Sequence, residues 1–315
     1  MQSGNPVPEK GLNGTQFYQP LYDEIARRVT PEAGYAMENG MVEGDTCWDA
    51  VDRMACLRNV EFTQMNDAIN ATSAQSWFPV IDGDIVSEQP SRSLYTGKKY
   101  VKVPILIGAN TDEGSHYMPT HDISTEDEFI DLIANPQFHG VAPGIALPRI
   151  LVNQLAAAYS NVSSSPRDAA IHANRRQACS TWSRANISAY CYRFDVPLYD
   201  QASAQHGNEM PFVLNNTGRH GHDADPISGD DLPVLAGDIS SSWVSFIATL
   251  DPNSWRQQIN STPTTPAWPE YAAEKAYEMV FQANGTSHVE RDVWRATQIR
   301  LINGEPSGIA VAYQR

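Results

Sequence analysis

No stretch of the 315 residues approaches the roughly 18 consecutive apolar residues that a membrane-spanning helix requires. Basic residues are scarce. There are 22 Lys and Arg against 37 Asp and Glu, a formal net charge of −15, and the pI is about 4.8. A surface of that sign repels phosphate, which excludes nucleic acid as an expected partner. It repels an anionic membrane surface for the same reason. The amino terminus, Met1-Gln2-Ser3-Gly4-Asn5-Pro6, has no basic n-region and no apolar h-region, so no signal peptide is read there. The chain carries no internal repeat and no low-complexity run. Its 41% hydrophobic content is enough for a large core, arranged as one large domain or two small ones.

Cysteine is sparse but even in number. Four residues fit two disulfides in an oxidising compartment. Cys47 and Cys56 flank residues 48–55, a spacing too wide for C-x-x-C redox chemistry and suited to a staple over a loop. Closing so small a ring contributes ~2.5–3 kcal/mol in the chain-entropy model. Cys179 falls on a predicted helix and Cys191 on the strand after it. They are open either to a disulfide or to two buried free thiols. Neither has the basic surroundings that would make a thiolate nucleophile. Asn-x-Ser/Thr acceptors begin at Asn13, Asn70, Asn161, Asn186, Asn215, Asn260 and Asn284. Chance pairing would give roughly two or three. The chain thus reads as secreted while lacking an export signal.

Hydrophobic periodicity predicts a helix over residues 16–29, with Phe17, Leu21, Ile25 and Val29 on one face. Further helices are predicted over 125–135, 148–159, 166–184, 232–250 and 289–302. In the helix over 232–250, Leu235, Ile239, Trp243, Phe246 and Leu250 form one core-facing stripe, stopped by Asp251-Pro252-Asn253. Residues 77–83 read as a short strand ending in an Asp-Gly turn. Residues 103–109 are continuously apolar, as a strand covered on both faces would be. Strands are also predicted over 188–195 and 277–282, and the Pro/Ser/Thr-rich stretch 261–266 is read as a surface loop. A strand, a helical excursion and another strand predict an α/β fold with a parallel sheet.

Two segments bring chemistry. The apolar strand runs into Asn110-Thr111-Asp112-Glu113-Gly114, which sets a carboxylate just past its C-terminal end, where α/β sheets place functional groups. Far downstream, Gln205-His206-Gly207-Asn208-Glu209-Met210-Pro211-Phe212 presents a histidine in a loop. An acid followed by a histidine is the order of α/β-hydrolase triads, in which the nucleophilic serine comes first. In that arrangement Glu113 accepts the imidazole Nδ1–H, and His206 acts as general base and then acid. Asp112 is the local competitor for the acid. Taken singly, Glu113 also reads as part of a polar turn, and His206 as an exposed loop histidine. No G-x-S-x-G occurs in the sequence. A metal reading rests on Arg219-His220-Gly221-His222-Asp223-Ala224-Asp225, but no second ligand cluster with suitable spacing accompanies His220 and His222.

Taken in order, these segments resemble the C-terminal portion of a fungal type-B carboxylesterase or lipase of the cholinesterase-like α/β-hydrolase superfamily. The resemblance runs along almost the whole chain. It is carried by Cys47 through Cys56-Leu57-Arg58, which is similar to a family disulfide loop, and by Phe78-Pro79-Val80-Ile81-Asp82-Gly83. Residues 103–114, Tyr192-Arg193-Phe194-Asp195, His206 through Phe212 and Trp268-Pro269-Glu270-Tyr271 complete it. It implies one partial carboxylesterase domain over 1–315, its sheet flanked by helices and incomplete at the N-terminal side. Glu113 would be the triad acid and His206 the base, with no cofactor and a small-molecule carboxylic ester as substrate. Tyr117 and Met118 would line the pocket or pack in the core. Ser3 matches a family position that is not the nucleophile. The serine elbow, oxyanion loop and lid would precede Met1, so the expectation is a polypeptide that is inactive alone and prone to self-association.

Overall fold

The computed structural model describes residues 1–4, 14–72, 79–95, 99–114, 125, 127–128, 130–131, 149–159, 166–221, 225–227 and 229–303. They divide into two compact units, one over 12–89 and the other over 1–11 and 90–315.

In the unit over 12–89, helix α1 (Thr15–Arg28) is followed by α2 (Ala33–Glu38), α3 (Arg53–Leu57) and α4 (Phe62–Ala71). Of the predicted apolar face of α1, only its end is buried. Ile25 and Val29 join Cys47, Cys56 and Ala68 in a small core, while Phe17 is exposed. The Cys47–Cys56 disulfide is formed, and the N–H of Cys47 donates to the carbonyl of Val29 at 2.9 Å. Trp48 is sandwiched between the guanidinium groups of Arg27 and Arg53, at 3.7 and 3.6 Å from the ring centre. Asp52 caps α3 and Glu61 caps α4 by accepting backbone N–H groups of the first turn. Of the strand predicted over 77–83, residues 77–78 lie outside the described residues. Ile81 makes only an isolated bridge to Gly14, and Asp82 then closes a turn by accepting the N–H of Asp84 and of Val86.

The other unit holds the sheet. After α5 (Pro90–Tyr95) come β1 (Ile105–Asn110), α6 (Arg149–Tyr159), α7 (Pro166–Arg184) and β2 (Ala189–Phe194). They are followed by α8 (Met210–Val213), α9 (Leu232–Thr249), α10 (Arg256–Ile259), β3 (Tyr277–Phe281), β4 (His288–Arg291) and α11 (Ala296–Asn303). The order is β1-β2-β3-β4. β1, β2 and β3 are parallel, and β4 is antiparallel to β3. Along the other edge of β1, Gln2 forms a parallel bridge to Gly108. Every residue of β1 and β2 is buried. The cause is helices on both faces. Leu106, Tyr190, Tyr192 and Phe194 pack with Leu232, Leu235 and Ile239 of α9. On the other face Ile105, Ile107, Ala189 and Cys191 pack with Ala178, Cys179 and Trp182 of α7. Cys179 and Cys191, left open above, are disulfide-bonded. The sheet is thus a mixed α/β sheet flanked by helices, as expected.

One predicted element is corrected. The helix placed over 289–302 begins only at Ala296, because residues 288–291 form β4. The turn before it decides this. Asn284 and Gly285 hold φ of 59° and 65°, the paired left-handed conformations that fold a chain back on itself as a hairpin. Most of the helix predicted over 125–135 lies outside the described residues, as do Tyr117 and Met118.

Candidate active site

The site forms past the carboxyl end of β1. Glu113 is fully buried. Its Oε1 accepts the backbone N–H of Asn110 at 2.5 Å and the hydroxyl of Ser3 at 2.5 Å. Its Oε2 lies 2.6 Å from His206 Nδ1, and the His206 side chain is 30% exposed. A carboxylate against Nδ1 selects the tautomer with the proton on Nδ1, which puts the basic lone pair on Nε2.

The neighbouring acid has a different task. Asp112 Oδ2 accepts the hydroxyl of Ser203 at 2.8 Å, and the Asp112 N–H donates to the carbonyl of Ala204 at 2.8 Å. With the parallel bridge from Asp112 to Gln205, this ties the histidine loop to the acid loop. Gly207 takes φ +86°, so the chain turns sharply after the histidine. Phe212 of α8 then anchors the loop, fully buried and 5.1 Å from the ring of Phe194. The sequence pair Glu113 and His206 is thus brought together, and Ser3 contributes to the acid.

Several residues of the site carried no signal in the sequence. Asn110 Nδ2 donates to Glu209 Oε2 at 2.6 Å, and the Asn110 carbonyl accepts from His172 Nε2 at 2.9 Å. Burial pushes the Glu209 carboxyl above its usual range, and Glu113 adds to this. Burial first, and then the Arg175 charge, holds His172 well below the usual histidine range, so it is neutral and donates. Only the hydrogen-bonding side chains at the turn, of types that also fill ordinary loops, could have pointed to them.

The metal reading gains no geometry. His220 is exposed, and His222 and Asp223 lie outside the described residues. Among the described residues no group of three or more His, Cys, Asp or Glu is placed to hold a metal ion. Nor, among them, is any helix long and apolar enough to cross a membrane.

Residues 14–299 match the model of the carboxylesterase family. The chain belongs to the carboxylesterase family. The match runs through both compact units. The inactive carboxylesterase-like protein VdtD of Byssochlamys spectabilis is 24% identical over 288 residues, covering 80% of this chain and 46% of that protein. The para-nitrobenzyl esterase of Bacillus subtilis (strain 168) is 26% identical over 224 residues, covering 68% of this chain and 40% of that protein. The chain therefore spans less than half the length of these relatives. Its fold matches the crystal structure of Aspergillus niger EstA with a TM-score of 0.65 at 16% identity, over 100% of this chain and 58% of that one.

Proposed function

We propose that this carboxylesterase-family chain supplies the acid and base of a serine carboxylic-ester hydrolase. Glu113 orients and charges His206. His206 takes the proton of a serine that attacks the ester carbonyl, then returns it to the leaving alcohol, and water completes the cycle through the acyl-enzyme. The observation that carries the reading is the 2.6 Å contact between His206 Nδ1 and a carboxylate that is itself fully buried. The 315 residues contain no G-x-S-x-G, and Ser3 Oγ faces the acid. In this reading the nucleophile and the oxyanion donors are supplied by sequence outside these residues, the chain being the C-terminal portion of a fungal type-B esterase or lipase. Two disulfides and the Asn-x-Ser/Thr acceptors support a secreted glycoprotein.

The experiment is activity-based labelling of the native protein with a fluorophosphonate, followed by peptide sequencing of the labelled bands. Peptides of this chain in a labelled protein larger than 34.8 kDa support the reading. A native product of this size that is unlabelled supports the second reading, a non-catalytic member of the family. That alternative is favoured by the relative named as inactive and by the missing elbow motif. Serine-inhibitor-sensitive hydrolysis of an aryl acetate by the purified 315-residue chain would overturn both.

A further inference from the structure

Asn110, the last residue of β1, is a hub. Its N–H reaches Glu113, its carbonyl reaches His172 and its side-chain amide reaches Glu209. All three partners are buried, and Glu209 is only 2% exposed. Glu209 has no part in the proton transfers proposed above, yet it lies one turn beyond His206 and next to the acid. A carboxylate this far from water is costly unless a cation or several donors meet it. The groups acting on Glu209 include Asn110 on β1, Tyr192 on β2, Glu113 beyond β1, its own backbone N–H and His206 on its own loop, with Arg175 of α7 acting on Tyr192. Burial and the second acid, Glu113, oppose its charge, while the Asn110 amide, its own backbone N–H and His206 favour it, and burial is the largest of these.

We propose that Glu209 is a positioning residue, held as an uncharged carboxylic acid, which anchors the Asn110 side chain and so fixes the backbone N–H that aims Glu113 at His206. The inference rests on the reading of Glu113 and His206 as an acid–base pair. A neutral acid gives the Asn110 amide an acceptor oxygen without setting a second negative charge beside Glu113. Were Glu209 ionised, two carboxylates would stand behind one imidazole and hold its proton too tightly for a base working near neutral pH. The raised proton affinity that burial gives Glu209 agrees with this state. The arrangement also accounts for an asparagine at the end of β1. Its backbone N–H serves the acid, and its side chain reports to a residue on the histidine loop, so both loops are set by one residue.

The test is NMR on the native protein with these 315 residues in their full context, labelled with 13C and 15N and titrated from about pH 4 to about pH 9. The Glu209 carboxyl carbon is expected to keep its protonated shift well above the ordinary glutamate range. E209Q is expected to leave the His206 titration midpoint within about 0.3 unit and its downfield Nδ1–H resonance in place. E209A, which removes the acceptor for Asn110, is expected to broaden or abolish that resonance. If E209A does not fold, the wild-type carboxyl titration and E209Q decide. A Glu209 midpoint near the ordinary value of about 4.3 overturns the proposal. So does a His206 midpoint lowered by about one unit in E209Q, or an unaltered Nδ1–H resonance in folded E209A. E113Q distinguishes failure of the underlying pair: a His206 midpoint unmoved by E113Q means the acid–base reading itself is wrong, whatever Glu209 does.

Discussion

The backbone of Gly108 lies directly beneath the ring of Tyr192, its neighbour in register on β2. A Cβ built on Gly108 would stand 2.1 Å from both Cδ1 and Cε1 of that ring. Tyr192 has no room to withdraw. It is fully buried and packed against Trp243, Trp268 and Phe281, with ring centres 5.2, 5.9 and 6.0 Å away. Gly108→Ala is therefore expected to destabilise the sheet by about 1–3 kcal/mol or more through overpacking. Asn110 stands on the same face two residues on, so the acid should be disturbed as well. The denaturant midpoint checks this, and an unchanged midpoint would show that the ring yields.

The disulfides are expected to act on different units. Cys179–Cys191 joins α7 to β2 across a sequence separation of 12, for which loop-closure entropy gives about 3 kcal/mol. Cys47–Cys56 lies in the unit over 12–89, whose buried apolar cluster is small. A small core depends more on its staple. Limited proteolysis under reducing conditions should thus cut within 12–89 before it cuts the sheet-bearing unit. Simultaneous cleavage of both would count against it.

β1, β2 and α9 were nearly legible because each is a largely apolar run answered by burial, and α7 was legible to its ends although it carries many polar residues and no clean apolar stripe. The β3–β4 hairpin was missed although Asn284-Gly285 signals it. The segment after it is amphipathic enough to pass for a helix, and a local rule lost to a periodic one. Glu113 and His206 were legible through resemblance. Ser3, Asn110 and Glu209 were not, because their partners lie 110 residues away for Ser3–Glu113 and 99 for Asn110–Glu209. Such contacts come from strand register and loop closure, which no local pattern encodes.

Asp238 on α9 turns the stretch 261–266, read above as a surface loop, into a pinned one. Fully buried, it accepts the backbone N–H of Thr264 at 2.6 Å and of Thr265 at 2.9 Å, the Thr264 hydroxyl, and the Asn260 amide. A glycan on Asn260 would occupy the nitrogen that makes the last bond. Passed through a glycosylating compartment, the folded protein is expected to carry glycans among Asn70, Asn186, Asn215 and Asn284, all exposed, and none at Asn260. Asn13 and Asn161 lie outside the described residues. Glycosidase treatment in heavy-oxygen water with peptide mapping reads each site, and occupancy at Asn260 would contradict the contact. Asp238→Ala, which strands several donors at once, should lower stability by about 3 kcal/mol or more.

Arg175 is fully buried between two acids, 2.6 Å from Glu278 on β3 and 2.7 Å from Asp292 just past β4. The acids are not equivalent. Arg176 also reaches Asp292, at 2.6 Å, and the Tyr271 hydroxyl donates to it at 3.1 Å. Burial raises both carboxyls. At Asp292 the two guanidinium groups outweigh it and hold the group far below the usual range. At Glu278 burial prevails over Arg175, and the charge of Asp292 adds to it. Asp292 is therefore the ionised partner, and Glu278 is the one that tolerates a neutral replacement. Asp292→Asn should cost about 3–5 kcal/mol by leaving buried guanidinium charge uncompensated. Glu278→Gln should cost about 1 kcal/mol or less. The sign of the pH dependence follows. A carboxyl whose folded pKa is depressed stabilises fully above its unfolded value of about 3.9, and this is lost as pH falls toward the folded value. Acidification from about pH 5 to about pH 3 should then weaken the wild-type chain more than Asp292→Asn. Glu278 has the opposite sign. Its raised pKa makes ionisation costly as pH climbs through the neutral range, so Glu278→Gln should gain on the wild type there. Denaturation midpoints across that range measure both trends, and equal penalties for the two variants at neutral pH would mean that the acids share the charge.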